Sequence, residues 1–376
     1  MKVLLIEPGG WGGICHYTYN LAQALCRTGM EVALVTDRDY ELRDLPRSFR
    51  LIDTLQVREG YWRSIRAIAG VWRQMRPDLI HVQATLSARR DWAWFPACNL
   101  LDIPILVTAH NVLPHDREER EAFGMVFAHS VIYRAADAII VHGEANRRDL
   151  LNRFSVPEDR VSVIPHGDYT FAGGCVGKAE ARSRLGLGPE DRVVLCFGTI
   201  RPYKGIHHLI PAFGQVFRAI PQARLLIAGQ PIGVDPQDIE RTIDAAGVRD
   251  AVRLDARYIP FQDIPVYFSA SDLVVLPYVS VYQSGALQLA YAHARPVVVT
   301  ATGALPESVD EGVNGRVVLP GDPDGLARAM IDLLSLPVGT LSEMGRHSRR
   351  LAEQRHAWAD VAQKTAEVYR KVCGQS

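Results

Sequence analysis

The sequence predicts an α/β protein built from two doubly wound parallel-sheet domains that are joined by a linker. Its 376 residues are about the length of two ordinary domains. Short apolar runs alternate with longer helical segments in both halves, which is typical of parallel sheets covered by helices. A Gly- and Ala-rich stretch, residues 171–188, separates the two series. We therefore place a first domain at 1–168, a linker at 169–190 and a second domain at 191–356.

The composition favours a folded protein with full cores. Apolar residues make up 48% of the chain, as in globular proteins. Lys and Arg total 42, and so do Asp and Glu, so the net charge predicts no nucleic-acid partner. No apolar run reaches the roughly 18 residues of a membrane-spanning helix. The six cysteines show no C-x-x-C pair and no zinc spacing, so we expect a cytoplasmic protein with reduced thiols.

The first domain opens with a strand and a glycine-rich loop. Val3–Ile6 is apolar and breaks at Pro8, too early for a signal peptide. Residues 9–13 contain four glycines, which allow a close approach of the backbone to a ligand or simply a tight turn. Their spacing is not G-x-G-x-x-G, so the dinucleotide fingerprint is absent. A helix is expected from about Cys15 to Arg27. The further strands are Val32–Val35, Leu79–Val82, Ile105–Val107, Ala138–Val141 and Val161–Ile164.

Three segments of this domain each have two interpretations. His110 follows a parallel strand, where open α/β sheets bind ligands, but a histidine that only caps a loop would look the same. Asp37 and Asp39 form an Asp-x-Asp pair that can hold a metal-bound diphosphate, although such pairs are common in loops and we expect no metal here. The helix Tyr61–Arg76 has an apolar face and a basic face. We expect it to pack on the domain, and a position on a membrane surface is the alternative.

The most specific local signal lies at the start of the second domain. Val193–Phe197 reads as a buried strand that ends at Gly198, Arg201 and Lys204 follow three residues apart, and Gly205 opens a helix. Backbone N–H groups, the helix dipole and two cations together suit an anion, whereas the alternative is an ordinary turn with two solvated charges. The order is not that of a Walker A loop and no hydroxyl stands ready for magnesium, so the cations would act in place of a metal. The later strands are Arg224–Ala228, Val252–Leu254, Leu273–Leu276, Val297–Thr300 and Gly315–Val318.

Short motifs recur in a fixed order along the chain. They are the glycine loop, Pro77–His81, Thr108–Asn111, Ile164–Asp168, Phe197–Gly205, Leu226–Gly229, Ser271–Pro277, Arg295–Val298, Gly303–Glu307 and Gly312–Gly315. In this order they resemble the retaining glycosyltransferases of family 4 (glycosyl transferases group 1). That resemblance covers nearly the whole chain. It implies the GT-B fold, in which two Rossmann-like domains face a cleft, and a C-terminal helix, about 357–376, that crosses back onto the first domain.

The resemblance also implies a nucleotide-sugar donor site. Arg201 and Lys204 would hold the donor diphosphate and stabilise the leaving group, which agrees with the anion-binding interpretation of their loop. His110 would contact the transferred sugar. The implied catalytic residues are His110, Arg201 and Lys204. The implied donor-binding residues are Gly12, Gly13, Gly198, Arg201, Lys204, Gln283, Ser284, Gly285 and Glu307.

One departure from the family pattern concerns a pair of glutamates, Glu-x7-Glu, before the strand Val297–Thr300. Val281 and Leu289 stand at those positions here. The segment between them contains Gln283, Ser284 and Gly285. Gln283 could replace one glutamate as a neutral hydrogen-bond partner, and Ser284 either faces the donor or only caps the next helix. Glu307 is a carboxylate in a turn that lies close to the donor site in the family. It could contact the donor, or it could have only a structural role.

We predict a retaining, metal-independent glycosyltransferase that moves a hexose from a UDP- or GDP-sugar to a glycan or lipid-linked acceptor in cell-surface polysaccharide assembly. Acceptor contacts are expected at Trp11, at His16 and in the Trp92–Trp94 loop. A non-catalytic nucleotide-sugar-binding subunit is the first alternative, because the glutamates are missing. A nucleotide-sugar epimerase is the second, and it would need carboxylates for acid–base work. Peripheral contact with the inner face of the membrane is compatible with Tyr61–Arg76, and no signal of oligomeric state is present.

Overall fold

The structure, a computed structural model, describes residues 1–55, 61–83, 103–112, 119–169, 176–282 and 284–374. Within two helices it describes only the backbone at 61–65, 67, 119–125 and 128. The chain divides into two units. The first unit is Met1–Gly167 together with His356–Ser376, and the second unit is Asp168–Arg355. The C-terminal segment therefore belongs to the first unit.

The first unit contains a parallel seven-stranded sheet in the order β3-β2-β1-β4-β5-β6-β7. Its strands are β1 Lys2–Glu7, β2 Glu31–Asp37, β3 Arg50–Leu55, β4 Leu79–Gln83, β5 Ile105–Thr108, β6 Ala138–Val141 and β7 Val161–Val163. Strands β4, β5 and β6 are buried along their whole length and are mostly apolar, as expected for a parallel sheet covered on both faces. The chain reverses its direction across the sheet between β1 and β4. Such a switch point is where open α/β sheets bind their ligands.

The second unit contains a parallel six-stranded sheet in the order β10-β9-β8-β11-β12-β13. Its strands are β8 Arg192–Phe197, β9 Ala223–Ala228, β10 Val252–Asp255, β11 Leu273–Leu276, β12 Val297–Thr300 and β13 Gly315–Val318. Alternate side chains of β8 enter two separate apolar cores, one on each face of the sheet: Val193 and Leu195 in one core, Val194 and Cys196 in the other. This sheet is therefore doubly wound, and its switch point lies between β8 and β11.

The helices alternate with these strands along the chain. They are α1 Gly12–Arg27, α2 Tyr61–Met75, α3 Glu119–Ala135, α4 Glu144–Arg153, α5 Lys178–Arg184, α6 Ile206–Ala219, α7 Pro236–Ala245, α8 Ile264–Ala270, α9 Gly285–Ala292, α10 Pro323–Leu334, α11 Val338–Arg355 and α12 Trp358–Val372. Short 3-10 turns also occur, including Pro202–Lys204 before α6 and Pro306–Ser308 between β12 and β13. Two α/β units with parallel sheets confirm the predicted fold class. Among the described residues, no helix is both long and apolar enough to cross a bilayer.

Two local expectations differ from the structure. The strand β3 was not expected, because its sequence mixes charged and apolar residues and it pairs on one side only, at the edge of the sheet. Helix α5 lies inside the range assigned to a linker. Its Ala181 is fully buried, and the Arg182 guanidinium donates a 2.8 Å hydrogen bond to buried Asp272. These contacts place α5 in the second unit, although its Gly- and Ala-rich surroundings suggest a flexible segment.

Candidate functional site

The predicted anion loop lies at the switch point of the second sheet, directly after β8. Gly198 ends the strand with φ +107°, and Gly205 has φ +67° at the N-terminus of α6. A Cβ atom on Gly205 would lie 1.9 Å from the carbonyl oxygen of Pro277, which follows β11. Only glycine fits this position, because both the left-handed backbone and the close approach exclude a side chain. The loops after β8 and β11 are therefore packed directly against each other.

Lys204 is the central side chain of this loop. It is only 8% exposed, and its Nζ donates a 3.0 Å hydrogen bond to the hydroxyl of Tyr278. No carboxylate forms an ion pair with it in the described part of the second unit (168–169, 176–282 and 284–355). A buried ammonium without a counter-ion is costly, so this position favours the binding of an anion. A Cβ atom on Gly198 would lie 2.9 Å from the same Nζ, so the strand-ending glycine also leaves room for the ammonium.

Ser284 belongs to the same group of side chains. Its Oγ lies 3.2 Å from the Tyr278 hydroxyl and caps α9 by accepting a hydrogen bond from the Leu287 N–H at 3.4 Å. A polar chain thus connects Lys204, Tyr278 and Ser284 at the N-terminus of α9, which Gly285 begins. Sequence reasoning missed Tyr278. Its position two residues after β11, next to the sheet's switch point, was the available signal.

The other predicted donor-site side chains are not part of this polar chain. Arg201 is half-buried at the N-terminus of the turn Pro202–Lys204. Glu307 is exposed in a 3-10 turn and forms neither a hydrogen bond nor an ion pair with the described residues. Gln283 lies outside the described residues, as does the Trp92–Trp94 loop. At the two positions where the family pattern has glutamates, this chain has Val281 and Leu289, and both side chains are buried.

The glycine loop of the first unit surrounds a carboxylate that sequence reasoning did not single out. Glu41 accepts hydrogen bonds from the Gly12 N–H and from His16 Nε2, both at 3.0 Å to the same oxygen. Helix α1 therefore begins at Gly12, three residues before the expected start, with Gly13 in its first turn. Trp11 precedes the helix and is 42% exposed. Of the two predicted acceptor-site residues, Trp11 thus lies directly before α1, and His16 lies in the helix beside the Glu41 carboxylate.

A second carboxylate holds the same loop from below. Glu7 is buried at the end of β1 and accepts hydrogen bonds from the N–H groups of Gly9 and Gly10, at 2.8 and 2.9 Å, and from the Thr36 hydroxyl at 3.0 Å. Burial raises the pKa of Glu7, while these hydrogen bonds oppose the rise. The loop is therefore organised by the two carboxylates, Glu7 and Glu41.

Asp37 and Asp39, the possible metal pair, are engaged locally instead. The Asp37 carboxylate accepts the Asp39 N–H at 3.1 Å, which is a turn-forming contact. The described residues contain no group of three or more His, Cys, Asp or Glu side chains that could hold a metal ion.

Four neighbouring strands of the first sheet each have a histidine within the strand or shortly after it, and the structure brings these histidines together. They are His81 in β4, His110 after β5, His142 after β6 and His166 after β7. All four are buried, and the ring of Tyr17 packs edge-on against three of them, with centroids 4.8 Å from His110, 5.2 Å from His142 and 4.9 Å from His166. Sequence reasoning placed His110 at a strand end but did not bring the four histidines together. Their positions after adjacent strands were the available signal.

Burial makes these histidines poor bases. It lowers the pKa of His142 to about 4 and those of His81 and His166 to about 3. Burial, with His142, His166 and His81 nearby, also lowers the pKa of His110 well below its usual value. Both ring nitrogens of His110 have partners in the first unit: Nε2 lies 2.9 Å from the Gln83 side-chain amide and Nδ1 lies 3.1 Å from His142 Nε2. His110 is therefore a neutral, rigidly held ring.

The C-terminal helix closes this cluster from one side. The Tyr369 hydroxyl of α12 lies 2.6 Å from His81 Nδ1, and Trp358 packs edge-on against Tyr17. His356 Nδ1 donates a 2.8 Å hydrogen bond to the His166 carbonyl. These contacts explain why the last helix belongs to the first unit.

Comparison with known proteins extends to both units. A family model described as Glycosyltransferase Family 4 matches residues 11–167, and one described as Glycosyl transferases group 1 matches residues 191–336. The chain is 26% identical to a D-inositol 3-phosphate glycosyltransferase of Kineococcus radiotolerans, over 98% of this chain and 92% of the relative. It is 28% identical to the protein of that name from Segniliparus rotundus, over 96% of this chain and 85% of the relative.

Solved structures show the same fold. Sucrose-phosphate synthase from Thermosynechococcus elongatus superimposes with a TM-score of 0.80 at 23% identity and full coverage of both chains. Anabaena Alr3699/HepE, in a complex with UDP and glucose, also has a TM-score of 0.80 at 20% identity, over 99% of this chain and 100% of that chain. With both family models matched in sequence order and a GT-B fold of two parallel-sheet domains, this chain is a glycosyltransferase and belongs to glycosyltransferase family 4.

Proposed function

We propose that this glycosyltransferase transfers a hexose from a nucleoside-diphosphate sugar to a hydroxyl group of a glycan or lipid-linked acceptor, with retention of configuration and without a metal ion. The observation that carries the proposal is the buried ammonium of Lys204, which lacks an anionic partner in the described part of its unit and lies at the sheet's switch point. A diphosphate would supply the missing counter-ion.

The chemistry follows from where charge develops. As the bond between the sugar and the diphosphate breaks, negative charge grows on the leaving phosphate. A pre-positioned ammonium stabilises that charge more than it stabilises the intact donor, which is the condition for accelerating the reaction. Lys204 and Arg201 come from one turn, so they would act on the same phosphates, and the N–H groups at the start of α6 and α9 would add dipoles.

The names of the relatives guide the choice of substrates. HepE was crystallised with UDP and glucose and with UDP-glucose, so UDP-glucose is the first donor to test. The curated relatives are named for inositol 3-phosphate, which is the first acceptor to test. Retention and the sugar contact of His110 rest on the family resemblance. Gln283 would take the place of a family glutamate as a neutral hydrogen-bond partner. We also propose that the protein is cytoplasmic, and that it contacts the inner face of the membrane peripherally if its acceptor is lipid-linked.

The direct test is a turnover assay with product analysis. Purified protein is incubated with UDP-glucose or GDP-mannose and with inositol 3-phosphate or a cell-lipid extract, and nucleoside diphosphate release is compared with and without acceptor. The proposal predicts acceptor-dependent release and an α-linked product from an α-linked donor, which NMR of the anomeric proton reports. A β-linked product would contradict retention. Tight donor binding with no transfer to any acceptor would favour the non-catalytic binding subunit.

A further inference from the structure

A chain of buried hydrogen bonds runs through the first unit from α12 to the end of β7. Its links are 2.6 Å from the Tyr369 hydroxyl to His81 Nδ1, 3.1 Å from His81 Nε2 to the Gln83 amide, 2.9 Å from that amide to His110 Nε2, 3.1 Å from His110 Nδ1 to His142 Nε2, and 3.0 Å from His142 Nδ1 to the Ile164 carbonyl. All of its side chains are buried. Because each link needs one donor and one acceptor, the protons of the whole chain are interdependent.

The Ile164 end of the chain has a fixed direction. A carbonyl oxygen can only accept, so His142 carries a proton on Nδ1. If His142 is neutral, its Nε2 is then a lone pair, which must accept from His110 Nδ1. A neutral His110 therefore has its proton on Nδ1 and a bare Nε2.

The structure places Gln83 Oε1 2.9 Å from His110 Nε2 and Gln83 Nε2 3.1 Å from His81 Nε2. A half-turn of the amide exchanges the two atoms, and the hydrogen bonds around them decide between the two orientations. With the oxygen toward His110, Nε2 would need a proton. His110 Nδ1 and His142 Nε2 would then face each other at 3.1 Å as two lone pairs unless the pair took up an extra proton. That proton would make a cation of two fully buried rings, and burial is the largest cause that lowers the pKa of both His110 and His142. Such a charge is strongly disfavoured.

We propose that Gln83 is a positioning residue, which turns its amide nitrogen toward His110 and so holds His110 neutral, with the proton on Nδ1 and the lone pair on Nε2. Every link of the chain is then satisfied. The Tyr369 hydroxyl then donates to His81 Nδ1. The one N–H of His81 Nε2 is shared between the Thr108 hydroxyl, 2.7 Å away, and the Gln83 oxygen, which after the turn of the amide takes the place of Gln83 Nε2 at 3.1 Å.

This proposal deepens the proposed function and rests on it for the role of His110 beside the transferred sugar. As the donor bond breaks, positive charge develops at the anomeric carbon, so an imidazolium ring beside it would oppose the reaction by repulsion. A ring held neutral avoids this cost. The amide of Gln83 serves that end, because an amide can donate to His110 while it accepts from His81.

The wild-type protein alone tests the proton positions. Long-range ¹H–¹⁵N correlation spectra of ¹⁵N-histidine-labelled protein at pH 7 distinguish the two tautomers and the imidazolium. His110→Gln identifies the signals of that ring. We expect His110 and His142 both to be neutral with the proton on Nδ1. A proton on His110 Nε2, alone or together with one on Nδ1, overturns the proposal.

The variant Gln83→Glu tests the functional consequence. A carboxylate only accepts, so it should draw a proton onto His110 Nε2 and convert the ring to the imidazolium. We expect kcat to fall by about tenfold or more while the donor KM changes by less than about threefold, the pattern of a lost transition-state effect. Tyr369→Phe is the matched control, since it removes a hydrogen bond from the other end of the chain without reversing its direction. It should leave the tautomer of His110 unchanged.

The outcomes separate the two proposals. If Gln83→Glu protonates His110 and kcat is unchanged, Gln83 is not a positioning residue. If Tyr369→Phe alters the tautomer of His110 as Gln83→Glu does, the amide does not set the direction and the proposal is again overturned. Failure of the wild-type protein to turn over any donor refutes the proposed function, whereas the tautomer spectra still decide the proton positions.

Discussion

Replacement of Lys204 by methionine should lower activity without lowering stability. Met is close to Lys in length and volume and has no charge. The wild-type ammonium is 8% exposed and has one neutral hydroxyl partner, Tyr278, so folding buries a charge that nothing in the described part of the second unit neutralises. Removal of that charge should offset the loss of one hydrogen bond, worth about 1 kcal/mol. We expect the melting temperature of the ligand-free protein to be unchanged or raised.

Activity should move in the opposite direction. A hydrogen bond to a charged group contributes about 1.5–3 kcal/mol, and each 1.36 kcal/mol is a factor of ten in rate. Lys204→Met should therefore lower kcat/KM by about tenfold to a hundredfold, if the ammonium contacts the leaving diphosphate. Steady-state release of nucleoside diphosphate measures the rate. Isothermal titration calorimetry measures the affinity for nucleoside diphosphate, and differential scanning calorimetry measures the melting temperature.

Lys178→Met is the matched control for this experiment. Lys178 lies in the same unit but pairs with the buried carboxylate of Asp272, which Arg182 also contacts. Its replacement should lower the melting temperature, since Asp272 loses one of two cationic partners, and should leave donor affinity unchanged. If Lys204→Met instead resembled Lys178→Met, with lower stability and unchanged donor affinity, Lys204 would be a structural residue and the reasoning would fail.

Three further predictions follow from the same contacts. Gly198→Ala places a methyl group 2.9 Å from Lys204 Nζ at φ +107°, so it should weaken nucleotide binding and cost about 1–3 kcal/mol of stability by denaturant unfolding; wild-type affinity would contradict this. Tyr278→Phe removes the hydroxyl that orients Lys204, and a loss of kcat/KM of about threefold to tenfold is expected in kinetic assays. The buried histidines predict acid sensitivity. Their folded pKa values, about 4 for His142 and about 3 for His81 and His166, lie below the unfolded value near 6.5. The unfolded chain thus binds more protons, so stability should be full above about pH 6.5 and fall as the pH is lowered toward 4, by up to about 1.4 kcal/mol per pH unit for each histidine. Urea unfolding at pH 7, 6 and 5 measures this, and a flat profile would argue against it.

Most of the fold could be predicted because it depends on short-range patterns. Central strands such as β6 and β11 are continuous apolar runs, and helices lie between most successive strands, as a parallel sheet covered on both faces requires. Strand β3 was not predicted, because an edge strand needs no continuous apolar face. Helix α5 was not predicted, because its Gly- and Ala-rich surroundings do not indicate the buried Arg182–Asp272 pair that holds it in place.

From the sequence, a candidate site could be proposed only where residues close together in the chain carry the chemistry. Arg201 and Lys204 are three residues apart, so their loop could be recognised without any tertiary information. Contacts between distant segments could not be predicted. Tyr278 reaches Lys204 across 74 positions, and Tyr369 reaches His81 across 288. The strand order that joins such segments is set by packing of whole elements, which no local motif records.

The most direct test of the central claim, an anion site for the donor diphosphate at Lys204, is a thermal-shift panel on the wild-type protein and Lys204→Met with UDP, GDP, ADP, NAD and no ligand. A ligand that binds only the folded state raises the melting temperature, by an amount that grows with its concentration relative to Kd. We expect a rise with one nucleoside diphosphate, UDP being the first candidate, and a much smaller rise in the variant. An equal rise in both proteins, or a rise with NAD alone, would contradict it.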